Sequence, residues 1–270
     1  MLFSNIFWPV LPWLGFSPGP IANGAPLRIL PLGDSITFGY NEPSGNSYRR
    51  DLQCLLSTNG NPVSLIGSIQ NGNWDNNESD AFNLHTLDQI LTAAVPELTL
   101  PPDSKPNIIL LHAGTVNLVL GVNVTTAPER LANLIDFATA HNPDALVVVA
   151  RVIPNANATV NALIDQYNAH IPDVVSAAAA AAARRHGHGG KGKGNKGKVV
   201  LAPLMRGVTV ERLPDGTHPD EKGYRIMARH WYEAIVRAGW KGLVEPAEGE
   251  FVDRGRSAVP ESGRCEDLVD

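Results

Sequence analysis

Short apolar runs of strand length alternate with stretches patterned as helix along most of this chain. That alternation constrains the fold more than any other feature. The runs are Arg28–Leu32, Val63–Gly67, Asn107–His112, Ala145–Val152 and Lys198–Ala202. Each is rich in Ile, Val and Leu and is bounded by Gly, Pro or Asn, as buried strands are. They are apolar on both faces, which is the pattern of parallel strands covered by helices on both sides.

The intervening segments read as helices. Tyr48–Thr58 sets Leu52, Leu55 and Leu56 on one face and stops at Asn59-Gly60. Leu87–Val95 is shorter, and Pro128–His141 places Leu131, Leu134, Ile135 and Ala138 at helical spacing. Val160–Ala183 is long, and Pro172 is expected to kink or break it. Pro219–Ala238 opens with proline in its first turn and ends at Gly239. Strand–helix alternation over 270 residues predicts one α/β domain, its parallel sheet joined by right-handed crossovers.

The flanks read differently. Leu2 to Phe16 is mostly apolar, but too short and too rich in proline to span a membrane. Residues 1–26 fit either a secretory h-region, with Ala22 and Ala25 near a cleavage point, or an apolar arm packed on the domain. No Lys or Arg precedes Arg28 to supply a basic n-region. Secretion is the working expectation and a cytoplasmic location the alternative. Residues 184–198 are Gly, Lys, Arg and His with one Asn, too polar to pack, and read as a solvated mobile insertion; His186 and His188 are read as part of it and not as metal ligands. Residues 241–270 are expected to form a loosely held polar tail. Cys54 falls in an apolar helical pattern and reads as a buried free thiol, with a bridge to Cys265 as the other possibility. The net charge of −5 argues against nucleic acid as a partner.

The chemistry is concentrated in two short segments. Gly33-Asp34-Ser35-Ile36-Thr37 directly follows the first apolar run, and Asp215-Gly216-Thr217-His218-Pro219 lies far downstream. A serine hydroxyl is a weak nucleophile and needs an adjacent base. His218 fits that base, and Asp215 can bond its other ring nitrogen, fix the tautomer and stabilise the imidazolium. Residues just past the carboxyl end of a parallel strand lie where such sheets bind ligands. The pair of segments reads as a split Ser-His-Asp triad for ester hydrolysis. Asp34, beside the nucleophile, is placed among the substrate-binding residues.

The stretch Arg28-Ile29-Leu30-Pro31-Leu32-Gly33-Asp34-Ser35-Ile36-Thr37 resembles the first block of the SGNH (GDSL) hydrolase superfamily, closest to its acetylxylan-esterase-like carbohydrate esterase branch. Tyr48-Arg49, Leu87-Asp88-Gln89-Ile90, Leu110–Thr115 and Asp215–Tyr224 extend the likeness over roughly Leu27 to Trp240. The resemblance implies a flavodoxin-like three-layer α/β/α sandwich with a five-stranded parallel sheet. It implies a serine esterase that removes small acyl groups, acetyl foremost, from a carbohydrate or related ester. It implies no metal and no organic cofactor. A monomer acting on a small-molecule or polysaccharide ester, with no stable membrane insertion, is the corresponding expectation.

Two blocks depart from that pattern. The superfamily builds its oxyanion hole from the nucleophile's N–H, a glycine N–H of the second block and an Asn side chain in Gly-Thr-Asn-Asp. Here the third block reads Gly114-Thr115-Val116-Asn117, which puts valine, with no donor, in the Asn position. The second-block glycine falls at or near Leu84. The expected donors are therefore the Ser35 N–H and the Leu84 N–H, with Asn83 or Asn117 restoring a donor if the loop is shifted. Loss of one donor costs about 3 kcal/mol of transition-state stabilisation. These departures give one alternative, a weakened or non-catalytic relative that binds glycan or another ligand; the apolar amino terminus gives a third reading, a lipase for longer acyl chains with that segment as its lid.

Overall fold

The computed structural model describes residues 19–186, 197–263 and 265. The apolar segment up to residue 18, with its arm, signal and lid readings, and most of the basic insertion lie outside the described residues.

β1 (Leu27–Gly33) is central. On one side it pairs in parallel with β2 (Val63–Leu65) at its start and with β4 (Glu78–Ala81) at its end. On the other side it pairs with β5 (Ile108–His112), followed by β6 (Leu146–Val149) and β7 (Val199–Leu201), all parallel. The parallel order β2–β1–β5–β6–β7 is the flavodoxin-like one, with its switch point between β1 and β5. The five predicted strands are all present. A short antiparallel hairpin of β3 (Ile69–Gln70) on β4 is added to them. Glu78-Ser79-Asp80-Ala81 is too polar to signal a strand from sequence.

Side chains alternate along each strand into two cores, which makes three layers. Leu27, Ile29, Ile108, Leu110, Leu146 and Val148 face α2 (Ser47–Thr58) and α7 (Glu221–Trp240). Leu30, Leu32, Ile109, Leu111, Val147 and Val149 face α3 (Leu87–Leu98), α5 (Ala127–His141) and α6 (Ala158–His186). Two very short helices, α1 (Ser35–Phe38) and α4 (Thr115–Val119), follow β1 and β5 directly.

Pro172 does not break its helix: α6 runs continuously from Ala158 to His186. Ile164 and Tyr167 before the proline, and Val175 and Ala182 after it, are buried in the same core. Packing on both sides keeps the helix continuous despite the local penalty.

Among the described residues of the carboxyl-terminal segment, the stretch from Glu245 to Arg254 is tied to the domain and not loosely held. The Arg28 guanidinium donates to the Glu248 carbonyl at 2.9 Å and the Glu250 carbonyl at 2.7 Å. Asp253 accepts the Val63 N–H at 3.0 Å, and the Arg254 N–H bonds back to the Val63 carbonyl at 3.0 Å. Gln53 donates to the Arg254 carbonyl at 2.7 Å. Cys54 is not a free thiol but is bridged to Cys265, with Cα atoms 5.8 Å apart. The anchors are mostly backbone groups, which have no sequence signature. At the other end, Ile21 and Ala25 are buried, and Asn61 bonds the Ile21 N–H, the Ile21 carbonyl and the Ala25 carbonyl.

Candidate active site

The site lies at the switch point, where β1 and β5 end. At Gly33 any side chain would collide with the His112 carbonyl and the Thr37 side chain, so the two strand ends approach closely. Asp34 then caps α1: one carboxylate oxygen accepts the Ile36 N–H at 3.1 Å and the other accepts the Thr115 N–H at 3.2 Å. Its exposure is 0%. Asp34 therefore does not contact substrate. It locks the nucleophile turn to the start of α4, and the substrate-binding assignment is corrected to a structural one.

Ser35, the first residue of α1, is brought to His218 with its Oγ 2.8 Å from Nε2. His218 Nδ1 lies 2.7 Å from Asp215 Oδ2. Asp215 Oδ1 accepts the Thr217 N–H at 3.0 Å and the His218 N–H at 2.7 Å, closing the turn in which Gly216 takes a φ of +83°. Partial burial pushes the Asp215 carboxyl up. Hydrogen bonds from the His218 backbone and ring, the Thr217 N–H and the Asn41 amide outweigh it and hold the group well below the usual carboxylate range. The turn is buttressed from the loop between β6 and α6: Ala156 N–H donates to the Gly216 carbonyl at 2.8 Å and the Asn155 amide donates to Thr217 Oγ1 at 2.9 Å. The Tyr40 ring packs against the His218 ring at 5.0 Å between centroids. Ser35, His218 and Asp215, read from segments 180 residues apart in the chain, thus form one hydrogen-bonded row.

The oxyanion side is sparser. Leu84 takes a left-handed φ of +58°, so leucine does adopt a conformation in which glycine is at ease. The loop that carries it is tied to the nucleophile strand by the Phe82 N–H, which donates to the Gly33 carbonyl at 2.9 Å. Neither the Ser35 N–H nor the Leu84 N–H is taken by another group among the described residues. Asn117 is a different matter: it is wholly buried, its Oδ1 accepts the Leu87 N–H at 2.9 Å and its amide donates to the Val122 carbonyl at 2.9 Å. Both ends of the amide are committed to clamping two loops, so the expected oxyanion role of Asn117 is withdrawn. Val116 keeps the position that the resemblance assigns to the missing donor.

Sequence reasoning missed three supporting residues. Arg49 is buried and donates to the carbonyls of Phe38, Gly45, Asn71 and Asn77, joining the loop after α1 to the β3–β4 turn. Burial lowers its guanidinium to about 10. Only its place in the Tyr48-Arg49 pair hinted at a role. Asn41, whose amide reaches Asp215 Oδ2 at 2.7 Å, and Asn155 gave no signal. Among the described residues, no cluster of three or more His, Cys, Asp or Glu is arranged to hold a metal.

Comparison with known proteins gives a consistent picture. The model of the GDSL-like lipase/acylhydrolase family matches residues 32–226. A multidomain esterase of Ruminococcus flavefaciens is 26% identical over 83% of this chain, which spans 29% of that relative's length. The solved family 3 carbohydrate esterase of Clostridium thermocellum is 26% identical, with a TM-score of 0.64 over 81% of this chain and 99% of its own. A carbohydrate esterase family 3 structure from Talaromyces cellulolyticus shares the fold at 20% identity and a TM-score of 0.60, covering 80% of this chain and 99% of its own. With most of the sheet and both triad segments inside the matched span, the chain belongs to the GDSL-like lipase/acylhydrolase family, a family of serine esterases of the SGNH type.

Proposed function

We propose that the protein is a serine esterase that removes small acyl groups, acetyl foremost, from a carbohydrate or related ester through an acyl-enzyme. The observation that carries this reading is the unbroken hydrogen-bonded row from Ser35 Oγ through His218 to Asp215. Ser35 Oγ attacks the ester carbonyl while His218 Nε2 takes its proton. The Asp215 carboxylate, held ionised by four donors, stabilises the imidazolium that forms. The tetrahedral oxyanion is met by the Ser35 and Leu84 N–H groups. His218 then protonates the departing alcohol oxygen. In the second half-reaction it deprotonates a water that releases the acid and frees Ser35. The likeness to carbohydrate esterases of family 3 supports a sugar ester as substrate.

The Cys54–Cys265 disulfide supports secretion, since such bridges persist in oxidising compartments. Among the described residues no helix is long and apolar enough to cross a membrane.

The test is hydrolysis of p-nitrophenyl acetate by wild type beside Ser35→Ala. Equal rates would sink the esterase reading. A second reading, a weakened relative that binds glycans, is favoured by Val116 and by the committed amide of Asn117. It predicts glycan binding with turnover near that of Ser35→Ala.

A further inference from the structure

We infer that Asn41 is a positioning residue of the triad, a side-chain donor that fixes the Asp215 carboxylate and so sets how His218 is held against Ser35. The inference rests on the esterase reading for its catalytic consequence. It rests on geometry alone for its contact. Asn41 Nδ2 donates to Asp215 Oδ2 at 2.7 Å, and His218 Nδ1 bonds that same oxygen at 2.7 Å. Asp215 Oδ1 is meanwhile filled by two backbone N–H groups. The carboxylate thus has a donor on each side, and its plane is set by Asn41 together with the turn.

The loop bearing Asn41 is built to hold that amide still. Tyr40 N–H donates to the Ser35 carbonyl at 3.0 Å, and the Tyr40 ring packs on His218. Asn41 itself takes a left-handed φ of +62°, a conformation that asparagine tolerates better than most residues. The next residue, Glu42, is buried and uses its carboxylate to accept the Ser44 N–H at 3.1 Å, the Ser44 hydroxyl and the Asn46 N–H at 2.8 Å. Arg49 pins the two ends of the loop through the Phe38 and Gly45 carbonyls. One short segment therefore touches all three members of the row: Tyr40 touches Ser35 and His218, and Asn41 touches Asp215.

Two roles of Asn41 must be separated, the left-handed backbone and the amide. Glycine keeps the first without strain and removes the second. Apart from Ser35, the ionisable groups that the described residues place against His218 are Asp215 and Tyr40. An amide donor on Asp215 tempers the charge that His218 feels, so removing it raises the acidic limb of kcat/KM. A carboxylate in its place raises that limb further.

The experiment compares wild type, Asn41→Gly and Asn41→Asp on p-nitrophenyl acetate across pH. The expected result for Asn41→Gly is kcat lower by about tenfold, KM within about twofold of wild type, and an acidic limb moved up by about half a unit. Asn41→Asp is expected to lose more activity and to move the limb up by about one unit or more. Wild-type kcat and an unmoved limb in Asn41→Gly would overturn the inference, because a backbone role survives that substitution. Titration of the His218 ring protons by NMR in the same three proteins reads the contact without turnover. If wild type and Ser35→Ala hydrolyse the ester equally, the esterase reading falls alone. An unmoved His218 midpoint in both variants is then what overturns the placement of Asn41.

Discussion

Val116→Asn tests the oxyanion side at its weakest point. Val116 is the second residue of α4, 5% exposed, in a backbone frame fixed from both directions. On one side Asp34 holds the Thr115 N–H; on the other Asn117 bonds Leu87 and Val122. Asparagine is close to valine in volume, so the frame has little reason to move. A restored side-chain donor is worth about 2.7–4 kcal/mol in the transition state, or 10²–10³-fold in kcat. The free enzyme then carries a partly buried amide without a fixed partner, which costs about 1–3 kcal/mol of stability. At about 2–4 °C per kcal/mol this lowers the melting temperature by several degrees without touching the rate gain. The assay is initial-rate hydrolysis of p-nitrophenyl acetate, with active sites counted by an organophosphate burst. Asn117 is left intact, since Asn117→Asp removes the donor to Val122. A folded Val116→Asn protein whose kcat stays within about threefold of wild type would refute the reasoning.

Two further outcomes follow from the fold. Removing the Cys54–Cys265 bridge frees two residues 211 apart in sequence, for which the chain-entropy relation gives about 5 kcal/mol as an upper bound. Cys54→Ser is expected to melt well below wild type under non-reducing conditions, and equal melting curves would refute a formed bridge. Burial pushes the His112 imidazole below its ordinary value of 6.5, with Asp34 partly opposing. Native His112 therefore stays neutral while the unfolded chain takes up a proton below pH about 6.5. Its contribution is complete above that pH and is lost as pH falls toward the depressed native value, by at most about 1.4 kcal/mol per unit. Urea unfolding of wild type and His112→Gln between about pH 7 and 5 checks this, the variant losing less stability on acidification; parallel slopes would refute it.

The sheet was legible because parallel strands covered on both faces must be apolar throughout, as Ile108–His112 and Leu146–Val149 are. The triad was legible because its chemistry demands particular side chains at strand ends. What escaped notice shares a different physics. Asp34 and Asn117 carry groups suited to substrate contact, yet their polar atoms are spent on backbone N–H and carbonyl groups of neighbouring loops. Only three-dimensional neighbours distinguish those uses. The Cys54–Cys265 pairing depends likewise on a tail whose course is set by Arg28 and Arg254. The polar Glu78–Ala81 strand is held by pairing with β1 and β3 and not by any apolar pattern of its own.

That same tail has a consequence for how molecules meet one another. β2 lies at the margin of the parallel sheet, where unpaired backbone groups offer a template for another strand. Asp253 and Arg254 occupy the Val63 N–H and carbonyl, and the Arg254 guanidinium covers the Leu65 carbonyl. The Asp253-Arg254 stretch thus acts as a cover strip for its own sheet. A shortened protein ending before Asp253 keeps every residue of the triad, yet it bares a strand edge and is driven toward self-association.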